Sequence, residues 1–302
     1  MAGIYDLSDP GARSRYAALH RSAGRATPFS SLTFADAAAH AYRLRGRIHL
    51  PIPDAGALIL ERGRGLLRRA VLPPFTQYSA LILPDFVAES DVHARTGPLE
   101  KILESIERAY RRADLLCRLE DPRPAGWRNW QVSPLYTYLL PAALAPDTWS
   151  TAARRLYRTR KSRYECRESA DLAREVIVLC EQSYARHGRR LPGGPAALLQ
   201  MVRQLKSMTR IFVALEEGAP KAGIVVLCGG SAAHYWISGS QPGAAMTVLI
   251  GHVLGVLQSS GFDQFDLVGA NTPSIAEFKR RFGPQLALYF HLRHHPLTGL
   301  IS

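Results

Sequence analysis

The stretch Gly261-Phe-Asp-Gln-Phe-Asp-Leu-Val-Gly-Ala-Asn-Thr-Pro-Ser-Ile-Ala-Glu-Phe-Lys-Arg-Arg-Phe-Gly283 decides how this chain folds. Its first part alternates, with Phe262, Gln264 and Asp266 set against Asp263, Phe265 and Leu267, the period of a short strand. Gly269 to Asn271 carries the residues of a tight turn. Thr272-Pro273 or Ser274 then opens a helix, and Ser274 and Glu277 have the spacing of a capping box. Ile275, Phe278 and Phe282 recur at i, i+3 and i+7, which gives one apolar face, and Gly283 and Pro284 stop the helix. Lys279, Arg280 and Arg281 are expected on or near the open face. The unit reads as strand, turn and short helix, with cations beside the turn.

Outward from this stretch, helix patterns cover Trp149 to Ser169, Asp171 to His187 and Ala196 to Lys206. A meander follows at Arg210–Leu215, Ala222–Cys228 and Ala232–Ile237, then a nearly all-apolar helix at Ala244–Gln258 and a last strand at Leu286–His291. The first half runs in a similar order. A helix over Phe34–Leu44 precedes short strands at Arg47–Ile52, Ala57–Glu61 and Leu66–Leu72, an amphipathic helix at Pro98–Arg112, and strands at Leu115–Leu119 and Gln131–Leu139. Residues 1–26 lack a period and read as a loosely docked arm. The best boundary lies at Pro141–Asp147, which predicts an arm (1–26) and two domains (27–145 and 146–302).

A 302-residue chain that is 47% hydrophobic has enough apolar material for a full core. Its net charge of +13 suits anionic partners, but 33 of the 38 basic residues are Arg, so codon bias accounts for part of it. The four cysteines, at 117, 166, 180 and 228, have no zinc or Cys-x-x-Cys spacing and read as reduced thiols in a cytoplasmic protein. His291, His294 and His295 lack a companion carboxylate or Cys set, so no metal site is expected. No membrane span is expected either, because the longest uncharged run, Ala222 to Ser240, is broken by Gly229 and Gly230.

Phe265-Asp-Leu-Val-Gly269 followed by Ile275-Ala-Glu-Phe-Lys-Arg-Arg-Phe-Gly283 resembles a signature of Fem-type aminoacyl transferases and the BioF2-like acetyltransferases, members of the Gcn5-related N-acyltransferase (GNAT) superfamily. Pro73-Pro-Phe-Thr-Gln-Tyr78 resembles their N-terminal Pro-x-x-Thr-x-Tyr segment, and Trp127 to Tyr138 their inter-domain strand. The resemblance implies an α/β (α+β) chain of two tandem GNAT-like domains, each a mixed, mainly antiparallel sheet flanked by helices. It implies an N-acyltransferase whose donor is acetyl-CoA or another acyl-CoA, with aminoacyl-tRNA as the alternative. The acceptor would be a small-molecule or peptidoglycan- or polysaccharide-precursor amine, held in the cleft between the domains.

Site candidates follow. The resemblance implies that Lys279 meets a carboxylate or the oxyanion of the reaction, a task suited to a preorganised ammonium. Arg280 offers bidentate contact to phosphate, and Tyr78 falls in the substrate-binding segment. His234 lies mid-meander beside Tyr235, only one of them facing the cleft, and would serve as base. Asp266 positions substrate or caps Asn271. The loop Ser240-Gln241-Pro242-Gly243-Ala244 precedes the apolar helix, where backbone amides favour a pyrophosphate. Pro242 removes one donor there, and Gly243 falls one position early for the superfamily pattern. Arg154, Arg158 and Lys161 share a helical face and are read as substrate-binding, against the plainer reading of a solvated basic face. The competing functions are a non-catalytic polyanion- or RNA-binding protein and a degenerate acyltransferase kept as a scaffold.

Overall fold

In a computed structural model of the chain, residues 2–24, 26–85, 92–143 and 146–295 are described. The chain forms two compact units, one of residues 1–135 with 288–302, the other of residues 136–287. The elements in order are β1 (Gly3–Asp6), α1 (Pro10–Ser22), α2 (Leu32–Tyr42), β2 (Arg45–Ile52), β3 (Ala55–Arg62), β4 (Arg69–Ala70), β5 (Ala80–Ile82), α3 (Val92–Ala109), β6 (Ala113–Cys117), α4 (Arg123–Trp127) and β7 (Gln131–Pro141). Then come α5 (Thr151–Arg160), β8 (Glu165–Glu168), α6 (Ala173–Arg186), α7 (Pro195–Gln204), β9 (Thr209–Glu216), β10 (Ala219–Gly229), β11 (Ala232–Ser240), α8 (Ala245–Ser259), β12 (Gln264–Asp266), α9 (Pro273–Arg280) and β13 (Gln285–His294).

In the first unit β1, β2, β3 and β4 form an antiparallel sheet, with β5 also paired to β3. The apolar stripe of α3, Leu99, Ile102, Leu103 and Ile106, is buried against Ala55, Ala57 and Ile59 of β3. The later part of β13, Phe290–His294, pairs with β6. The expected loose arm is instead a strand and a capped helix. Asp9 accepts from the amide of Ala12 at 2.7 Å, and the fully buried Tyr16 donates its hydroxyl to the carbonyl of Ser30 at 2.8 Å. One buried aromatic, Tyr16, and one buried small residue, Ala12, anchor α1, too few to produce a helical period.

In the second unit the strands run β7-β12-β11-β10-β9-β8, antiparallel except for the parallel pair β11–β12. On one face α8 buries Leu249, Val253 and Leu257 among Phe212, Ile224 and Phe265. On the other, α6 approaches so closely that glycine is required. A Cβ on Gly239 would lie 2.2 Å from the amide nitrogen of Cys180, and one on Gly223 would lie 2.7 Å from the Val176 side chain. Both units are therefore mainly antiparallel sheets flanked by helices.

Two further expectations are corrected. The helix expected over Trp149–Ser169 ends at Arg160, and Glu165–Glu168 is instead an edge strand paired with β9. Arg-rich composition hid its alternation, in which Glu165 and Arg167 face solvent and Cys166 packs on the core. The units also divide within β7 rather than near Asp147, and most of β13 belongs to the first unit, not the second. Leu144 and Ala145, where the expected boundary falls, lie outside the described residues.

Candidate active site

The second unit contains a fork. β12 pairs in parallel with β11 over three residues, Ala232–His234 against Gln264–Asp266. β11 then continues along β10 as far as Ser240, whereas the chain after β12 stays with β7, where the Leu267 amide donates to the carbonyl of Tyr138 at 2.8 Å and that of Ala270 to Tyr136 at 2.8 Å. From Tyr235 to Ser240, therefore, one edge of β11 faces no partner strand among the described residues.

Lys279 sits at this fork. It is 7% exposed, and its Nζ donates to the carbonyl of Val268 and, at 3.0 Å, to that of Gly269. Nζ also stands 5.4 Å from the centre of the Tyr235 ring. Burial lowers its pKa to about 8, opposed by the charge of Asp266. The turn it holds is strained. Val268 has φ 39°, a left-handed conformation that a β-branched side chain disfavours, and Gly269 has φ 58°. Asp266, fully buried, accepts from the Val268 amide at 2.9 Å and from Thr137 Oγ1 at 2.6 Å. Carboxylate and ammonium thus grip the same turn, one through an amide and the other through carbonyls.

Several expectations change here. Lys279 is buried rather than open, whereas Arg280 and Arg281 are exposed and pair with Glu277 at 2.6 and 3.8 Å. No capping box forms, because Thr272 is the cap residue and Glu277 is taken by those arginines. Asn271 exchanges hydrogen bonds with the backbone of Tyr136. Of the pair His234 and Tyr235, it is Tyr235 that lies under Lys279. His234 is 1% exposed, and its Nδ1 is 3.3 Å from the carbonyl of Leu227 on β10. In register it stands opposite Asp266 of β12.

In the loop between β11 and α8 the Ser240 and Gln241 amides are already engaged, donating to Ser183 Oγ at 3.2 Å and to the carbonyl of Lys221 at 2.8 Å. Ala244 caps α8 without a side-chain hydrogen bond, and Gly243 has φ 137°. The Ser240 carbonyl accepts from Arg186 and, at 3.3 Å, from Ser183 Oγ. Lys221 Nζ donates to Gln241 Oε1 at 3.1 Å. Two cations, from β10 and α6, therefore stand beside Ser240 and Gln241, with Gly243 and Ala244 following them into α8. Lys221 and Arg186 are distant in sequence from the loop, and only the pairing of β10 with β11 and the packing of α6 reveal them.

On α5, Arg154 donates to the carbonyl of Asp147 at 3.0 Å and Arg158 pairs with its carboxylate, while Lys161 is exposed. This is a partly neutralised solvated face, and the structure does not bring it together with the fork residues. In the first unit Tyr78 is 2% exposed and lines a cavity of about 220 Å³ with Ala26, Leu81, Leu83, Leu119 and Arg118. The Arg118 guanidinium lies 5.7 Å over the Tyr78 ring. Arg128, which lies between Trp127 and Trp130 in the sequence, is bonded to Glu107 at 2.9 Å through Nε. Among the described residues no three His, Cys, Asp or Glu side chains converge as for a metal ion.

With that geometry in hand, residues 148–280 match the family model of the acetyltransferase (GNAT) domain. The matched segment spans α5 to α9 and so holds the fork, the loop and Lys279. The fold of the whole chain is similar to the crystal structure of FemX, with a TM-score of 0.71 at 10% identity, covering 96% of this chain and 98% of that one. It is also similar to L-PGS from Bacillus licheniformis (TM-score 0.58, 13% identity, 99% and 95% covered). A tandem GNAT protein from the clavulanic acid biosynthesis pathway aligns at TM-score 0.52 and 12% identity, covering 97% and 98%. No curated protein matches the sequence. The fold of the chain is thus like that of FemX, and residues 148–280, all within the second unit, match the acetyltransferase (GNAT) domain model.

Proposed function

We propose that the protein is an N-acyltransferase that takes its acyl group from acyl-CoA and passes it to an amine. The observation that carries this reading is the fork between β11 and β12, with a buried ammonium at its root and an uncapped helix N-terminus at the end of β11. The first-turn amides of α8 and the cations of Lys221 and Arg186 would hold the diphosphate of the donor, since helix N-termini and basic side chains favour anions. The donor supplies an activated thioester. The free edge of β11 offers backbone donors to the acyl carbonyl, and the charge of Lys279, set in a desolvated site, favours the oxyanion that develops there.

Two of the three Lys279 donors already serve the turn, so Lys279 first fixes the shape of the fork and acts on charge from that fixed position. Tyr78 and Arg118, which line a cavity of the first unit, are candidates for contact with the acceptor. An aminoacyl-tRNA donor is the alternative that the FemX-like fold brings with it, and the pairing of Arg154 and Arg158 with Asp147 weakens the basic face that would support it.

The test is turnover. Acetyl-CoA and a panel of primary amines, including peptidoglycan- and polysaccharide-precursor amines, are mixed with the protein, and thiol release is followed. Acceptor-dependent release that falls at least tenfold in Lys279→Met, with little change in the KM for acetyl-CoA, supports the reading. Equal release by both proteins contradicts the role given to Lys279, and release with no amine in the panel contradicts the transfer.

A further inference from the structure

The first unit gathers arginines that no sequence motif marks. Arg62 of β3 stands opposite Arg69 of β4, and Arg69 is bridged to Arg112, just before β6. Residues paired across strands project from the same face, so three guanidinium groups form a row, and like charges so placed cost stability. All three are exposed, and among the described residues none has an acidic partner. The exposed Arg64 and Arg111 flank the row on the same terms. The nearest acid, Glu61, is 1% exposed and already shared among Arg45 at 3.4 Å, Arg47 at 3.4 Å and Arg68 at 3.9 Å.

From the middle of this charge Leu67 projects, 84% exposed. Its turn is tight rather than frayed. The Leu67 amide donates to the carbonyl of Arg64 at 3.1 Å and that of Arg68 to Gly65 at 3.2 Å. Gly63, at φ 90°, comes so close that a Cβ there would lie 2.4 Å from the Leu67 carbonyl oxygen. The turn therefore holds an aliphatic side chain out into water, ringed by unpaired cations.

We propose that this face docks the protein peripherally on an anionic lipid bilayer, with the arginines at the headgroups and Leu67 below them. A nucleic acid would satisfy the arginines and leave the leucine in water. A neutral bilayer would take the leucine and leave the row of charge uncompensated. An anionic bilayer satisfies both, through Coulomb attraction at the surface and apolar burial beneath it. Attachment of this kind needs no spanning segment, and among the described residues no helix is long and apolar enough to cross a membrane.

The test is co-sedimentation of the full chain with vesicles of phosphatidylcholine alone or mixed with phosphatidylglycerol. Binding to the mixed vesicles and not to the neutral ones is expected. Leu67→Gln weakens it roughly tenfold through lost apolar burial. The triple variant Arg62→Gln, Arg69→Gln, Arg112→Gln weakens it roughly a hundredfold, at about fivefold per charge. The matched control Arg174→Gln, Arg189→Gln, Arg190→Gln removes the same charge from exposed sites in the second unit and leaves binding unchanged. All the substituted side chains are exposed, and thermal melts verify that each variant folds. Three outcomes overturn the proposal: no preference for the anionic vesicles, equal loss in the control triple, or an unaffected Leu67→Gln whose companion arginine triple instead loses binding to an RNA oligonucleotide.

Discussion

At Lys279 the chain has placed an ammonium where water barely reaches and given two of its donors to the carbonyls of a left-handed turn. Hydrogen bonds from a charged donor are worth about 1.5–3 kcal/mol each, and the cost of burying the charge offsets part of this. Lys279→Met, which keeps the stem and loses the donors, is expected to lower stability by about 2 kcal/mol at pH 7, read by urea denaturation. The pH dependence has a definite sign. The folded pKa, about 8, lies below the ordinary lysine value of 10.5, so between them the unfolded chain binds more protons than the native one. The proton-linked part of its stability is therefore fully present above pH 10.5 and lost as pH falls through 8, and the hydrogen-bonded part remains at pH 7. The gap between wild type and Lys279→Met widens by up to roughly 3 kcal/mol as pH rises across that window. Activity that depends on the charge moves the other way and falls as pH rises through 8.

The family resemblance marked Lys279, and its place at a strand end marked Asp266, but their burial left no signal, because Arg280 and Arg281 beside Lys279 made it look like part of a solvated face. For His234 and Tyr235, alternation separated the two faces and could not say which one turned toward the fork. That choice depends on where α6 and α8 pack, which is a tertiary property. Lys221 and Arg186 left no signal at all near the loop they flank.

Among the elements, the fork depends on a close three-layer sandwich of α6, sheet and α8. Gly239 is the tightest point. An added Cβ would meet the backbone of Leu179 and Cys180 at 2.2 Å, and neither can swing aside as a side chain would. Gly239→Ala is expected to cost about 3 kcal/mol by forcing α6 off the sheet. Gly255, within α8, has no atom within 4 Å of an added Cβ, so Gly255→Ala is expected to stabilise by about 0.5–1 kcal/mol through helix propensity. Thermal melts of the two variants should move in opposite directions. The elements with strong periods, such as α6, α8 and the β9–β11 meander, were legible to within a few residues, whereas α3 begins at Val92, well before the expected Pro98. β8 was not, since its exposed Glu165 and Arg167 continue the charged pattern of α5, and its strand geometry comes from pairing with β9. The N-terminal strand and helix were also missed, because contacts to β2 and to the carbonyl of Ser30, rather than an apolar stripe, hold them.

Across the whole molecule, the order of elements suggested two sheet-and-helix units, and two compact units are present. The chain crosses from one to the other within β7 and returns within β13, so no linker of distinctive composition separates them. A reading that seeks boundaries in prolines and loops cannot see a crossing made inside a strand. The GNAT domain match at residues 148–280 runs from just before α5 to the end of α9, where the fork, the loop and the turn occur together. The central claim is that this region receives an acyl-CoA. The most direct check is the melting temperature of the full chain with saturating acetyl-CoA, compared with the double variant Lys221→Ala, Arg186→Ala. Occupancy at a hundred times the Kd stabilises by about 2.7 kcal/mol, so the wild type should melt several degrees higher with the ligand, and the double variant should show less than half that shift. A wild-type melting temperature that acetyl-CoA leaves unmoved, alongside a clear rise with aminoacyl-tRNA, would contradict the account.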